Sequence, residues 1–286
     1  MVLSRFSRFL NLIDFQHSIF GLPFAYLGAF LALPGFPGWS NLFWITIAMI
    51  GARTAALCMN RAIDVHIDAK NPRTVDWSLV KGEFSLKLTW GVALLSLFVL
   101  GVAAWQLNPL CLILSPLAIF ALWGYSYTKR FTWWCHLFLG LAIGMGPMGG
   151  WIAVTGQIDW QPMLLTMAVA FWVAGFDIMY ACQDIEFDRQ EGLFSIPARF
   201  GIRGALMFAR TFHFLTFIFF VFAGAAMGMG WPYYLGVGVA GIILVYEHTL
   251  INTDNLNLVN LAAFKINHYV APIIFAMALL DIFLVG

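Results

Sequence analysis

The chain has 286 residues, 62% of them hydrophobic and 10% charged, against roughly 45–50% and about 25% in soluble domains. Fifteen Lys plus Arg against fourteen Asp plus Glu leave a net charge of +1, which gives no basic field for nucleic acid. With 17% aromatic residues and a mean hydropathy of +0.85, the composition excludes a soluble globule and predicts one all-helical, polytopic membrane domain over residues 1–286.

A bilayer core about 30 Å thick takes about 20 apolar residues per helix, and the chain divides into nine such segments. The first, Ser18–Leu33, follows Arg5 and Arg8 and runs on too far for a cleaved signal peptide. Leu42–Met59, Leu88–Trp105, Leu110–Tyr125, Cys135–Val154, Met163–Ala181, Ala205–Met227, Tyr233–Leu250 and Ile266–Val285 complete the series. Breakers such as Pro34-Gly35, Asn108-Pro109, Thr155-Gly156 and Gly230 to Pro232 separate them.

The linkers alternate in charge. Arg5 and Arg8, then Arg61, Lys70, Arg73, Lys81 and Lys87, then Lys129 and Arg130, then Arg189, Arg199 and Arg203, then Lys265 all fall on one side. The linkers after spans one, three, five and seven, and the C-terminus, hold no Lys or Arg. This bias predicts a cytoplasmic N-terminus in the cell's inner membrane. The four cysteines, Cys58, Cys111, Cys135 and Cys182, have neither paired nor zinc-ligand spacing and read as small apolar fillers.

Carboxylates cluster where spans two and six meet the charged side. Asn60, Asp64 and Asp68 recur every four residues, which puts them on one helical stripe, about 6 Å apart along the axis. Arg53, two turns earlier, points the same way. Asp184 and Asp188 repeat the spacing after span six, with Tyr180 one turn before them on their stripe. Salt bridges to Lys70, Arg73, Arg189 or Arg199 would explain one such pair. Two pairs on one membrane side also suit hard divalent cations, since Mg²⁺ takes one or two carboxylates together with phosphate oxygens. After span four, Tyr125-Ser126-Tyr127-Thr128-Lys129-Arg130 brings two phenols and two cations to the same depth. That string reads either as an aromatic belt with positive-inside residues or as a diphosphate contact.

Taken together these strings resemble the UbiA-type membrane-embedded aromatic prenyltransferases, and the resemblance covers almost the whole chain. The family combines nine helices, an NxxxDxxxD motif after the second, a DxxxD motif after the sixth and a Tyr-containing basic string after the fourth. The resemblance implies that Asp64, Asp68, Asp184 and Asp188 ligate Mg²⁺, with Asn60 supporting that site. It implies that Arg53, Lys129 and Arg130 contact the diphosphate of a polyprenyl substrate, with Tyr125 and Tyr180 beside it. The reaction would join the polyprenyl group to an aromatic acid in the bilayer, with the active site on the cytoplasmic side and no obligatory protein partner. The strings from Phe15 to Ala25, from Tyr180 to Asp188 and from Ser195 to Gly201 resemble the futalosine-route menaquinone branch, whose acceptor is 1,4-dihydroxy-6-naphthoate. The ubiquinone branch, with 4-hydroxybenzoate, is the alternative. One departure stands out: Trp77-Ser78 replaces the family's Arg-Pro, leaving Lys81 as the only nearby substitute weighed for that cation.

The remaining polar residues divide by position. Asp177 lies one helical repeat before Asp184, on its stripe, and is a candidate for lining the site, whereas Asp281 points to the far interface. His17 and His268, at the charged-side starts of spans one and nine, could reach the acceptor or be structural. His136, His213 and His248 give no signal, and Glu247 with Asn255, Asn257 and Asn260 suggests a polar cap over the site. Asp76 and Asp159 read as solvated loop charges. Gly144, Gly146, Gly149 and Gly150 in span five either pack helices or leave room for a prenyl tail. The rival from another class is a secondary transporter, whose carboxylates belong near the bilayer midplane.

Overall fold

The computed structural model describes residues 21–33, 35–251, 256, 258, 259, 261 and 266–285. Arg5, Arg8, His17, Lys265 and Asn255, Asn257 and Asn260 lie outside the described residues. The helices are α1 (Leu22–Ala32), α2 (Trp39–Asp68), α3 (Leu86–Leu107), α4 (Pro109–Thr128), α5 (Cys135–Thr155), α6 (Gln161–Ala181), α7 (Ile185–Gln190), α8 (Ile196–Ala226), α9 (Trp231–Leu250) and α10 (Val270–Leu284). Short 3₁₀ turns, Cys182–Asp184 and Asn267–Tyr269, precede α7 and α10. Eight segments among the described residues are long and apolar enough to cross a membrane, and α1 is a shorter apolar helix within the first predicted span. The all-helical reading and its nine segments therefore agree with the structure.

Two boundaries differ in ways that matter for function. The second helix does not stop near Met59 but runs unbroken to Asp68, so the NxxxDxxxD residues project from its last turns. The sixth ends at Ala181, and the 3₁₀ turn carries the chain into α7. Asp184 and Asp188 therefore do not continue one regular α-helical stripe from Tyr180.

In lipid, helices associate by van der Waals packing and close backbone approach rather than by hydrophobic exclusion. The glycines follow this logic. A Cβ at Gly150 would overlap the Ala25 backbone, one at Gly28 the Pro147 backbone, and one at Gly140 the Ala170 backbone. These contacts press α5 between α1 and α6. α6 is the central helix, with Leu165, Ala168, Val169, Trp172, Val173, Ala174, Ile178 and Met179 all buried. α4 is peripheral, with Ile113 and Phe120 exposed on its outer face.

Polar side chains fix the helix starts. Asn108 accepts from the Cys111 N–H at 2.9 Å, and its amide donates to the Ile152 and Ala153 carbonyls, which ties the start of α4 to the end of α5. Asp281 is buried within α10 and accepts from the backbone N–H groups of Gly230 and Tyr233, both at 3.0 Å. It caps the start of α9 rather than reaching the far interface. Asp159 likewise accepts from the Trp151 indole at 2.7 Å and is not simply solvated.

Candidate active site

A cavity of about 730 Å³ opens among α2–α6. Its charged end is lined by Asp64, Asp68 and Arg61 of α2, Arg73 of the loop after it, Lys129 at the end of α4, Asp184 of the 3₁₀ turn and Asp188 of α7. Leu100, Ala104, Cys111, Leu114, Ala118 and Leu122 from α3 and α4, with Met145, Met148 and Gly149 from α5, continue it as an apolar channel. Gly149 borders open space and Gly146 lies against Gly21 and Ala25 at the start of α1, whereas Gly144 and Gly150 pack tightly against neighbouring backbone. Helix packing is thus realised at Gly144 and Gly150.

On the α2 side, Asp64 is the hub. Lys129 Nζ lies 2.6 Å from Oδ2 and Arg130 Nη2 2.8 Å from Oδ1. Asn60 donates to Asp64 and to Ser126 Oγ, both at 3.3 Å. Arg130 also donates to the Ser126 and Ile63 carbonyls. Among the residues around Asp64 it grips the carboxylate from the side away from the cavity lining. Lys129 does line the cavity, and its carbonyl accepts from Phe194 N–H at 2.7 Å. Arg53 and Tyr125 line the wall as well.

On the α6 side, Asp184 is held by the loop after α2. Arg73 donates from Nε to Oδ1 at 3.0 Å and from Nη2 to Oδ2 at 2.7 Å, a fork-on-fork pair. Its third nitrogen donates to Tyr180 Oη at 2.7 Å, and Asn71 Nδ2 donates to Asp184 Oδ1 at 3.0 Å. Burial opposes the Arg73 charge, but the hydrogen bonds and charge of Asp184 outweigh it and push the guanidinium up. Asp188 accepts from Ser195 Oγ at 2.7 Å, and the same Ser195 oxygen caps α8 by accepting from Ala198 N–H.

Of the four cations considered as bland partners of the carboxylates, only Arg73 has that place. Lys70 pairs with Glu191 at 2.6 Å, Arg189 donates to the Ala198 carbonyl, and Arg199 lies over the Trp133 ring. Trp77 lines the cavity and carries the Arg61 guanidinium on its face, 3.5 Å from the ring centre. The departure from the family string therefore replaces a cation with a surface that orients one. Lys81 does not substitute, because it pairs with Asp76 at 2.9 Å and lies away from the cavity.

Arg61, Arg73 and His136 line the cavity although the sequence assigned none of them to the site. His136, at the start of α5, is buried and lies 2.7 Å from Asp177. Both residues line the cavity, so Asp177 does face the site, and Phe176, Trp172 and Tyr180 border the same wall. Nothing in the sequence links residues 136 and 177, which meet only through the packing of α5 on α6. His268 is exposed and does not line the cavity. Glu247 is not a polar cap but fully buried, accepting from Asn267, whose Oδ1 accepts from Trp172 at 2.7 Å.

The UbiA prenyltransferase family profile matches residues 21–269. A 4-hydroxybenzoate octaprenyltransferase of Methylobacillus flagellatus is 32% identical over 224 residues, covering 78% of this chain and 75% of that protein. Among solved structures, the apo UbiA homolog from Aeropyrum pernix K1 superposes with a TM-score of 0.85 at 32% identity, over 93% of this chain and 98% of that one. A UbiA homolog from Archaeoglobus fulgidus, bound to GPP and Mg²⁺, has the same fold, with a TM-score of 0.71 at 19% identity over 96% and 99% of the chains.

Proposed function

We propose that this chain, which belongs to the UbiA prenyltransferase family and is an integral-membrane aromatic polyprenyltransferase, transfers a polyprenyl group from its diphosphate to 4-hydroxybenzoate with the help of Mg²⁺. The observation that carries the reading is the continuity of one cavity from a cluster of carboxylates and cations into an apolar channel. A polyprenyl diphosphate has those two ends in that order. The acceptor follows the Methylobacillus flagellatus relative, so the naphthoate expectation yields to its alternative. The carboxylates sit at helix ends rather than at the midplane, which also speaks against a transporter.

Charge arithmetic supports the metal. Arg53, Arg61, Arg73 and Lys129, with Arg130 behind Asp64, balance Asp64, Asp68, Asp177, Asp184 and Asp188 around the cavity. A diphosphate adds roughly three negative charges, which the protein alone does not offset. Asp64, Asp68, Asp184 and Asp188 offer hard oxygen donors, and with phosphate oxygens completing the shell one or two carboxylates per ion suffice. Bound Mg²⁺ would supply Lewis-acid stabilisation of the leaving diphosphate.

The chain's own residues do the rest. Lys129 and Arg73, paired with Asp64 and Asp184 and lining the cavity, are placed to bind diphosphate oxygens, and Asp64 and Asp184 would help hold the metal. Arg61, held flat on Trp77, adds a third oriented donor. The apolar channel takes the tail and keeps water from the allylic cation, and the aromatic wall of Trp172, Phe176 and Tyr180 is suited to that cation and to an aromatic acceptor. The charged end would face the cytoplasm by the Lys and Arg bias. Membranes containing the protein, incubated with labelled prenyl diphosphate and Mg²⁺, should prenylate 4-hydroxybenzoate and stop on addition of EDTA. Product with 1,4-dihydroxy-6-naphthoate alone would overturn the acceptor, and undiminished turnover in EDTA would overturn the metal.

A further inference from the structure

The cavity carboxylates are not equivalent. Asp64 is held by Lys129 and Arg130, and Asp184 by Arg73, so each has its charge committed to a cation. Asp68 and Asp188 have no such ion pair, but each stands one turn from its paired neighbour in the same charged cluster, whereas Asp177 stands apart from it. It lies seven residues before Asp184 on α6, about 10 Å deeper along the helix, where the aromatic wall begins. Its hydrogen-bond partner is His136, through Nδ1 to Oδ2 at 2.7 Å. The imidazole is almost fully buried, but the Asp177 side chain keeps 26% of its surface exposed, on the cavity.

The backbone fixes the state of the imidazole. Ile196 N–H points at His136 Nε2 from 3.3 Å, and a backbone N–H can only donate. Nε2 is therefore the acceptor, the ring proton sits on Nδ1, and that proton is donated to Asp177. The tautomer follows from the bonding network. The imidazole thus orients a carboxylate by one oxygen while the carboxylate keeps the other for the cavity.

Resting on the prenyl-transfer reading, we propose that Asp177 is the base that removes the proton from the aromatic acceptor, and that His136 is the residue that positions it. In the transfer the C1–O bond of the prenyl diphosphate breaks and its electron pair leaves with the diphosphate. A ring π pair forms the new C–C bond. The hydrogen on the attacked ring carbon then passes as a proton to the free oxygen of Asp177, its bonding pair restores the aromatic ring, and the proton leaves to water with the products. Trp172, Phe176 and Tyr180 on the same wall give the acceptor ring a surface beside that oxygen.

The test uses the full-length protein in membranes, with Asp177→Asn, His136→Ala and His136→Gln, and acceptor with either hydrogen or deuterium at the prenylated ring position. Asp177→Asn should lower kcat by about 10²-fold or more while leaving the KM for prenyl diphosphate unchanged. It should also acquire a primary isotope effect with the deuterated acceptor that the unaltered protein lacks, because ring deprotonation then limits the rate. His136→Ala should show the same isotope effect with a smaller loss. His136→Gln, whose amide can donate to Asp177 and accept from Ile196, should recover most of the rate. Retained binding of labelled prenyl diphosphate with Mg²⁺ reports a folded site in each variant. Near-normal turnover of Asp177→Asn, or a loss of rate with no isotope effect, would overturn the proposal. Absence of product from the unaltered protein with any acceptor would instead overturn the reading on which it rests.

Discussion

Asp64→Ala removes the hub of the charged end. The carboxylate is almost completely buried and answers two cations and one amide, Lys129 at 2.6 Å, Arg130 at 2.8 Å and Asn60 at 3.3 Å. Removing one member of a fully buried ion pair costs about 3–5 kcal/mol, because the charge left behind lacks both partner and water. Here the side chains of Lys129 and Arg130 each keep 31% of their surface exposed, so water recovers part of their solvation and the expected loss falls to about 2 kcal/mol. Arg130 also retains its bonds to the Ser126 and Ile63 carbonyls, which holds the end of α4 against α2 and keeps the bundle folded. Turnover should fall by at least about 10²-fold, the scale of losing one preorganised electrostatic contact to the leaving group. Thermal unfolding in detergent, read beside product formation, separates the two effects. In a double-mutant cycle, Asp64→Ala with Lys129→Ala should show a coupling of about 1–2 kcal/mol in stability. Additive losses, or turnover retained in the single variant, would refute the assignment of Asp64 as the shared partner of the cations and the metal.

Three further outcomes follow from the geometry. Trp77→Ala takes away the face that orients Arg61, worth about 1 kcal/mol, so the KM for prenyl diphosphate should rise roughly fivefold with little change in the melting temperature; an unchanged KM would deny the stack a role. Gly150→Leu drives a side chain into the Ala25 backbone and should cost at least about 1–3 kcal/mol, whereas Gly149→Leu meets open space in the cavity and should leave stability intact while raising KM more for long prenyl diphosphates than for geranyl diphosphate. Asp281→Ala strips the cap from the start of α9 and should lower stability by about 1–2 kcal/mol with unaltered kinetics, measured by detergent unfolding and steady-state rates.

The spans were legible because lipid leaves the backbone few choices. Every N–H and C=O must be satisfied within the membrane, so a long apolar run is a helix, and the alternation of Lys and Arg between linkers fixed how many such runs there had to be. Spacing located the first carboxylate set because α2 is one regular helix through Asp68, for which an interval of four means one face. After Ala181 the helix is no longer regular, yet Tyr180, Asp184 and Asp188 all still line the cavity, and Arg73 bridges the first two. A 3₁₀ turn advances the chain by a different angle per residue, and no residue between Ala181 and Ile185 announces it. Asp281 was misread because its polar partners lie 48 and 51 residues away; an acid near the end of an apolar run looks the same whether it meets water or a helix start.

What the sequence withheld about the site is the division of labour between neighbours. Lys129 and Arg130 are consecutive cations in one string, yet only Lys129 lines the cavity, because adjacent residues at a helix end point about 100° apart. Arg73 reaches Asp184 across 111 positions and His136 reaches Asp177 across 41, and neither pairing leaves a periodic trace. A motif names the residue types a reaction needs; the packing of α5 on α6 and the fold of the loop after α2 decide which carboxylate is bound to a cation and which keeps an oxygen for the cavity. Its depth on α6 and its bond to His136 separate Asp177, suited to take a proton, from the carboxylates of the charged end, suited to metal and diphosphate.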